Sequence, residues 1–329
     1  MASLPRFLRK PTLDLRDDDV DIHISDLPVD PLPSAPRPAV NPFDQPTDPV
    51  RKAVLARVAL VTVENNTNLP ALLNEDSVQP TIVQRIMLPR NPRIAGDELY
   101  ELDGMDMIVV ATEDERHISK DTLRWLRLLK QLGVPMVVLL PRAKPKRRSQ
   151  EKINEFSQYV GLPIVPVIAS DLDTARQEFL LTAMRIAPAT GLALAAHIPH
   201  FRFPLMRNLL DTATEESLYA GPGTEITAVQ MSLVHQICAA YGHNGHQFES
   251  HKAALKTLMT TTAHYTTRLV VRFPIRDRAR RARLTNAMST LFIGYATAIY
   301  LGATPPSFRK ELLPQVWRLY RASRKSLQE

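Results

Sequence analysis

The sequence predicts an α/β domain with a mostly parallel sheet and helices on both faces, followed by an all-α domain. Three observations carry that expectation. Five short β-branched runs recur between residues 58 and 168, helical stretches lie between the later ones, and from residue 191 the chain reads as helical to its end. Strand–helix–strand alternation at this spacing requires right-handed crossovers, which pack helices on both sides of a parallel sheet.

Composition sets the outer bounds. With 329 residues, 44% hydrophobic and 23% charged, the chain has room for two ordinary cores. The single cysteine, Cys238, excludes a disulfide framework and a multi-cysteine metal cluster and fits a reducing compartment. On an apolar helix face it reads as a small core residue. The opening MASLPRFLRKP lacks the apolar core of a secretory signal, so a cytoplasmic location is expected. Residues 1–49 hold nine Asp against five Lys or Arg, a local −4, so the net charge of +7 leaves about +11 on the body. That bias favours anionic partners.

In chain order, residues 1–50 are rich in Pro and Asp and are expected to form an extended, disordered tail, a solubilising leader or an internal competitor for anionic partners. Strands are expected at 58–63, 81–88, 107–111, 136–140 and 164–168. Helices are expected at 119–132, with Leu123, Leu126, Leu129 and Leu132 on one face, and at 149–160, with Ile153, Phe156 and Val160. A further helix after Asp171, through Phe179 to Ile186, closes the α/β domain near Pro188. The expected domains are therefore 51–188 and 189–329.

Residues 57–74, RVALVTVENNTNLPALLN, have the strand–turn–helix layout of a phosphate-binding loop without its chemistry. A working loop reads G-x-x-x-x-G-K-[ST], with backbone N–H groups around the phosphates, a Lys on the β/γ-phosphates and a hydroxyl on Mg²⁺. Thr62, Thr67, Asn68 and Leu69 stand in those places.

Residues 57–187 resemble the bacterial small GTPases of the Era and YcjF kind, altered at nearly every motif. VALV and ALLN resemble the first strand and helix of that P-loop-NTPase-like domain. The D-x-x-G motif falls on Met87, Leu88, Pro89 and Arg90, which removes the metal Asp at Met87 and the phosphate-reading Gly at Arg90. VPMVVLLPRAK resembles the strand leading to N-K-x-D, with Pro141, Arg142 and Lys144 in place of Asn, Lys and Asp. A Lys ammonium is donor-only and opposes the donors of a guanine edge, so guanine selectivity is contradicted. IVPVIAS resembles the last strand and its S-A-K turn, at Ile168, Ala169 and Ser170. Between Asn74 and Thr81 the chain is too short for a switch segment that presents a Thr to Mg²⁺.

The segments GLALAAHIPHFRFPLMRNLLDTATEESL and ITAVQMSLVHQICAAYGHN resemble the helical domain that follows the G domain in YcjF-like proteins. The residues carried over are Gln230, Ile237, Ala240, Tyr241 and Gly242, the last at an expected helix C-cap. Taken together, the resemblance implies a pseudo-GTPase: no bound cofactor, no catalytic residue, and a role as a binding or regulatory partner of a protein such as an intact GTPase relative.

Other candidates for chemistry are sparse. Cys238, His243, His246, His251 and Glu249 match no zinc spacing, so no metal site is expected, and His197 and His200 have no nucleophile to serve. Residues 284–308 are free of charge and follow the basic run 276–283; their Thr, Asn, Ser and Gly content favours a buried helix over a membrane span. Two basic clusters are candidate contacts for an anionic membrane surface: Arg276, Arg278, Arg280, Arg281 and Arg283, and Lys146, Arg147 and Arg148 beside Lys144 at a loop tip. Nucleic acid ranks below lipid or an acidic protein, since no aromatic residue interleaves the 144–148 run. The alternative reading is a cytosolic enzyme or nucleotide or metabolite sensor that uses the remodelled cleft, with Glu64, Asn65, Asn66, Thr67 and Asn68 as a polar rim and Arg90 and Arg142 as cations.

Overall fold

A computed structural model of the chain describes residues 48–53, 56–63, 71–73, 81–90, 97–102, 104–112, 118–142, 147–168, 170–221, 223–243 and 246–325. Of the expected tail, 1–50, residues 1–47 lie outside these, and 48–50 are not tail but the start of a helix whose Val50 is buried in the core. Five strands, β1 (Val58–Val63), β2 (Val83–Leu88), β3 (Met107–Ala111), β4 (Met136–Arg142) and β5 (Ile164–Ile168), form one parallel sheet in the order β2-β1-β3-β4-β5. Helices α1 (Asp48–Ala53), α2 (Asp97–Leu102), α3 (Lys120–Lys130), α4 (Arg147–Val160) and α5 (Leu172–Ile186) accompany it. The α/β architecture followed by a helical region is as the sequence predicts.

The central strands β1, β3 and β4 are apolar over almost their whole length because they are covered on both faces, whereas the edge strand β2 exposes Gln84, Arg85 and Met87. Val58 and Leu60 of β1, Val109 of β3 and Val137 of β4 enter one core with Phe179 and Leu180 of α5. Their neighbours Ala59, Val61, Val110 and Val138 point the opposite way, into a second core with Trp125, Leu126 and Leu129 of α3. Ser119 caps α3 by accepting from the Thr122 N–H at 3.0 Å.

Several boundaries move for local reasons. Residues 81 and 82 form a turn, so β2 starts at Val83. β4 runs through Pro141 and Arg142, two residues past the expected strand 136–140: β3 ends opposite Leu139, so beyond it β4 is paired with β5 alone, where a residue lacking N–H is tolerated. Leu132 lies past the end of α3 and is exposed. The described part of the helix expected after the phosphate-loop turn is a single 3₁₀ turn, Ala71–Leu73, with Leu72 and Leu73 in the core. Arg147 and Arg148 are the first two residues of α4 and are not in a loop.

The helical region comprises α6 (Pro188–His197), α7 (Pro199–Tyr219), α8 (Thr224–Ala240), α9 (His246–Val271), α10 (Arg278–Tyr300) and α11 (Leu313–Lys325), the last entered through a π turn, Phe308–Leu312. Ala187 alone separates α5 from α6, and one continuous set of buried side chains runs from the sheet through α5 and α7 into α10. α8 ends on Gly242 at φ 82°, where the His243 N–H bonds Cys238 O (2.8 Å) and the Gly242 N–H bonds Ala239 O (3.0 Å). This pairing is a Schellman cap, and it needs the left-handed conformation glycine permits.

The charge-free stretch from residue 284 forms most of α10, which packs against α7, α8, α9 and α11. Among the described residues no helix is long and apolar enough to cross a membrane. Within α10 the Thr290 hydroxyl is fully engaged, whereas Thr297 Oγ1 is buried without a hydrogen-bond partner among the described residues. Thr290 Oγ1 lies 2.7 Å from Ser217 Oγ of α7, donates to Asn286 O (3.0 Å), and accepts from Gln230 Nε2 of α8 (3.3 Å). Gln230, singled out by the resemblance, thus ties three helices together. Gly294 lets α10 approach α7 and α8: a Cβ there would collide with Leu210 Cδ2 and stand 3.0 Å from Leu233 Cδ2, both side chains fully or nearly fully buried. Gly294→Val therefore lowers stability by about 2 kcal/mol in urea denaturation, the overpacking cost outweighing any gain in backbone entropy. An unchanged midpoint would show that the contact is looser than the packing implies.

Candidate functional site

In the order β2-β1-β3-β4-β5 the chain winds outward in opposite directions from β1 and β3, and open parallel sheets bind ligands in the crevice beyond the carboxyl ends of such a pair. The line Met87–Thr62–Ala111–Leu139–Val165 crosses the sheet just below that crevice. Thr112, one residue beyond β3, donates both its N–H (3.0 Å) and its hydroxyl (3.1 Å) to Leu139 O, holding the carboxyl end of β3 to β4 beside the reversal. Arg90, two residues beyond β2, and Arg142, the last residue of β4, each stand three residues past the line, and their strands are three spacings apart, about 14 Å. They flank the crevice without sharing one position in it.

The predicted positions fall into three groups. Thr62 is buried within β1, Met87 is 65% exposed on the edge strand, and Pro141 and Arg142 close β4, the guanidinium-bearing residue only 7% exposed. Arg90 and Ser170 are exposed beyond β2 and β5. Thr67, Asn68, Leu69, Lys144, Lys146 and Ala169, with Glu64, Asn65 and Asn66 of the polar rim, lie outside the described residues. The first glycine of the whole chain is Gly96, so no glycine follows β1 where phosphate would sit. The fully buried Trp125 donates its indole N–H to Pro89 O at 2.7 Å, pinning the chain at the carboxyl end of β2. Sequence reasoning missed that bond. The available signal was a Trp at a core position of α3, since a buried indole N–H needs an acceptor.

In the second basic group, Arg276 and Arg278 are exposed, whereas the others are at least partly engaged in the fold. Arg280 lies 4.9 Å from the Tyr320 ring centroid and donates to Ser323 Oγ (3.3 Å), Arg281 donates to Ile275 O, and Arg283 is half-buried.

The helical region offers reactive residue types in unreactive settings. Burial pushes the Cys238 thiol up to about 12, so it carries essentially no thiolate at neutral pH. His235 is 2% exposed, and burial, with Lys252 adding to it, pushes its imidazole down to about 4. His243 and His251 stack edge-on at 4.9 Å, and His251 Nδ1 lies 2.9 Å from Tyr300 Oη. Partial burial, then the nearby His251 and Arg202, lower the affinity of His243 for a proton. Cys238 belongs to a separate buried cluster with Phe248 and Met259, and among the described residues no group of three His, Cys, Asp or Glu is placed to hold a metal. His197 and His200 are exposed at the α6–α7 junction. A cavity of about 570 Å³ opens between α5, α7 and α8, with Leu181, Met184 and Leu233 along its apolar side and Arg185, Glu216 and Gln236 on its polar side. No protein-family model matches the sequence, and no curated protein matches it.

Proposed function

We propose that this chain is a pseudo-GTPase, a parallel-sheet scaffold of G-domain type that has lost nucleotide hydrolysis and works as a binding or regulatory partner of another protein, such as an intact GTPase relative. The observation that carries this reading is the joint substitution along the carboxyl edge of the sheet. Met87 offers no carboxylate for metal, Arg90 no glycine N–H for a γ-phosphate, and the 95 residues before Gly96 no glycine to open a phosphate cradle. The Trp125–Pro89 bond adds a physical reason: the segment after β2, which must move with the γ-phosphate in a switch, starts from a carbonyl held by a buried indole.

A second reading has its own support in Arg90 and Arg142, two cations beside the crevice, which suit an anionic metabolite better than a nucleotide with Mg²⁺. One experiment separates the readings: purified full-length chain with labelled GTP and Mg²⁺, then thermal shift against a panel of anionic metabolites. The pseudo-GTPase reading expects no saturable micromolar GTP binding, no phosphate release and no stabilisation by the panel. Micromolar GTP binding with turnover overturns it. Stabilisation by a metabolite, lost in Arg142→Ala, assigns the crevice to a sensor or enzyme.

A further inference from the structure

The C-terminal corner is the strongly basic part of the molecule. Residues 272–325 carry twelve Lys or Arg against Asp277 and Glu311, a net of +10 where the whole chain has +7. Some of these groups hold the fold together, as Arg280 and Arg281 do, and Arg318 pairs with Asp211 of α7. Arg272, Arg276, Arg278 and Arg321 are exposed. The Phe273 ring lies 5.9 Å from that of Tyr320, which brings the loop bearing Arg272 and Arg276 against the second half of α11.

α11 carries two apolar arcs. Val316, Leu319 and Tyr320 pack on the core, while Leu313 (37% exposed) and Trp317 (50% exposed) face outward one turn apart. The helix cannot roll to hide them. The Arg318–Asp211 pair fixes it to α7, and Gln315 Nε2 donates to Tyr295 Oη of α10 at 3.1 Å. By helical spacing the outward arc continues from Trp317 to Arg321, and Lys310 precedes Leu313, so the apolar pair is bracketed by cations.

An indole exposed among cations suits a helix lying in the headgroup layer of a membrane, with the ring at the interface and the guanidinium groups on phosphates. The 13 residues of α11 are too few to span a bilayer, which takes about 20, and no described helix does so. We infer that α11 and the 272–278 loop form a docking face for an anionic lipid bilayer, with Trp317 seated among the headgroups and Arg276, Arg278 and Arg321 on lipid phosphates. This face requires nothing of the crevice, so it stands or falls separately from the pseudo-GTPase reading. Single-stranded RNA shares the charge complementarity, but it needs a succession of stacking rings. On α11 the exposed indole is followed outward by an aliphatic Leu313, and the Tyr320 ring is covered by Arg280.

The chain has two tryptophans, and Trp125 is fully buried, so a change in emission on binding reports Trp317. Full-length protein is mixed with vesicles of phosphatidylcholine alone or with added phosphatidylserine. At low salt it sediments with the phosphatidylserine vesicles only, its emission shifts to the blue, and high salt reverses both. Trp317→Ala weakens binding about tenfold and abolishes the shift, and Arg321→Ala weakens it about fivefold. Both positions are exposed, and an unchanged thermal midpoint verifies that each variant is folded. Failure to sediment with phosphatidylserine vesicles at low salt overturns the inference, as does binding that neither substitution alters. Quenching of Trp317 by oligouridylate with no vesicle binding overturns it in favour of nucleic acid.

Discussion

Trp125→Ala lowers the stability of the fold by about 3–5 kcal/mol, the largest loss expected from a single side chain in the α/β region. The indole is fully buried in the core between α3 and the sheet, beside Leu102 and Leu126, so its removal forfeits apolar burial and leaves a cavity that α3 can only partly close. The substitution also takes the N–H from Pro89 O. Trp125→Phe separates the two contributions: it keeps a ring in the core and loses the 2.7 Å bond, at a cost of about 1–2 kcal/mol, held down because Pro89 is only half-buried and water can replace the donor. Denaturant midpoints of the two variants measure the difference. Equal losses would mean that the hydrogen bond dominates. A loss below about 1 kcal/mol in Trp125→Ala would mean that the indole does not occupy that core. Hydrogen exchange at the Arg90 amide should quicken in both variants, since the chain end of β2 is released in both.

The α/β order was legible because β1, β3 and β5 are short and β-branched, β1 and β3 being buried on both faces and β5 on one, so periodicity and length agree. Where pairing rather than composition decides, the sequence was less informative. Pro141 and Arg142 belong to β4 because β5 continues beside them, a fact no local pattern contains. Gln230 was marked by resemblance, but its role required the partner, Thr290, sixty residues away. The five arginines of the 276–283 run look alike in sequence. Only the positions of Tyr320 and Ile275 distinguish Arg280 and Arg281, which brace the fold, from Arg276 and Arg278, which face solvent. At the crevice, residues that lack a function are easily read, since a missing glycine or carboxylate needs no neighbour to interpret. The Trp125–Pro89 bond, formed between elements 36 residues apart, was illegible for the opposite reason.

Acidification is expected to destabilise the protein through His235, by about 2–3 kcal/mol between pH 7 and about pH 4. The imidazole lies edge-on to Phe248 with centroids 4.5 Å apart, and its Nε2 has no hydrogen-bond partner among the described residues. Burial opposes its protonation first, Lys252 second, and Glu249 favours it weakly, Lys252 and Glu249 being themselves paired at 3.4 Å. The sign follows from the proton count. In the unfolded chain the ring takes up a proton near its ordinary 6.5, but in the folded protein only near about 4. Between those values the unfolded state binds more protons, so stability falls as pH falls through that window and the loss is complete below about 4. Partial desolvation of the largely exposed His197 and of His243 acts in the same direction, whereas Glu178, raised by burial and by Asp171, acts in the opposite one. His235→Leu isolates the contribution: it fills the same apolar site without a titrating group, so its denaturation midpoint should hold level with or above the parent at neutral pH and fall less steeply on acidification. If the two proteins lose stability in parallel from pH 7 to pH 4, His235 is already hydrated or partnered in the folded state, and the buried cluster around Phe248 and Cys238 admits water.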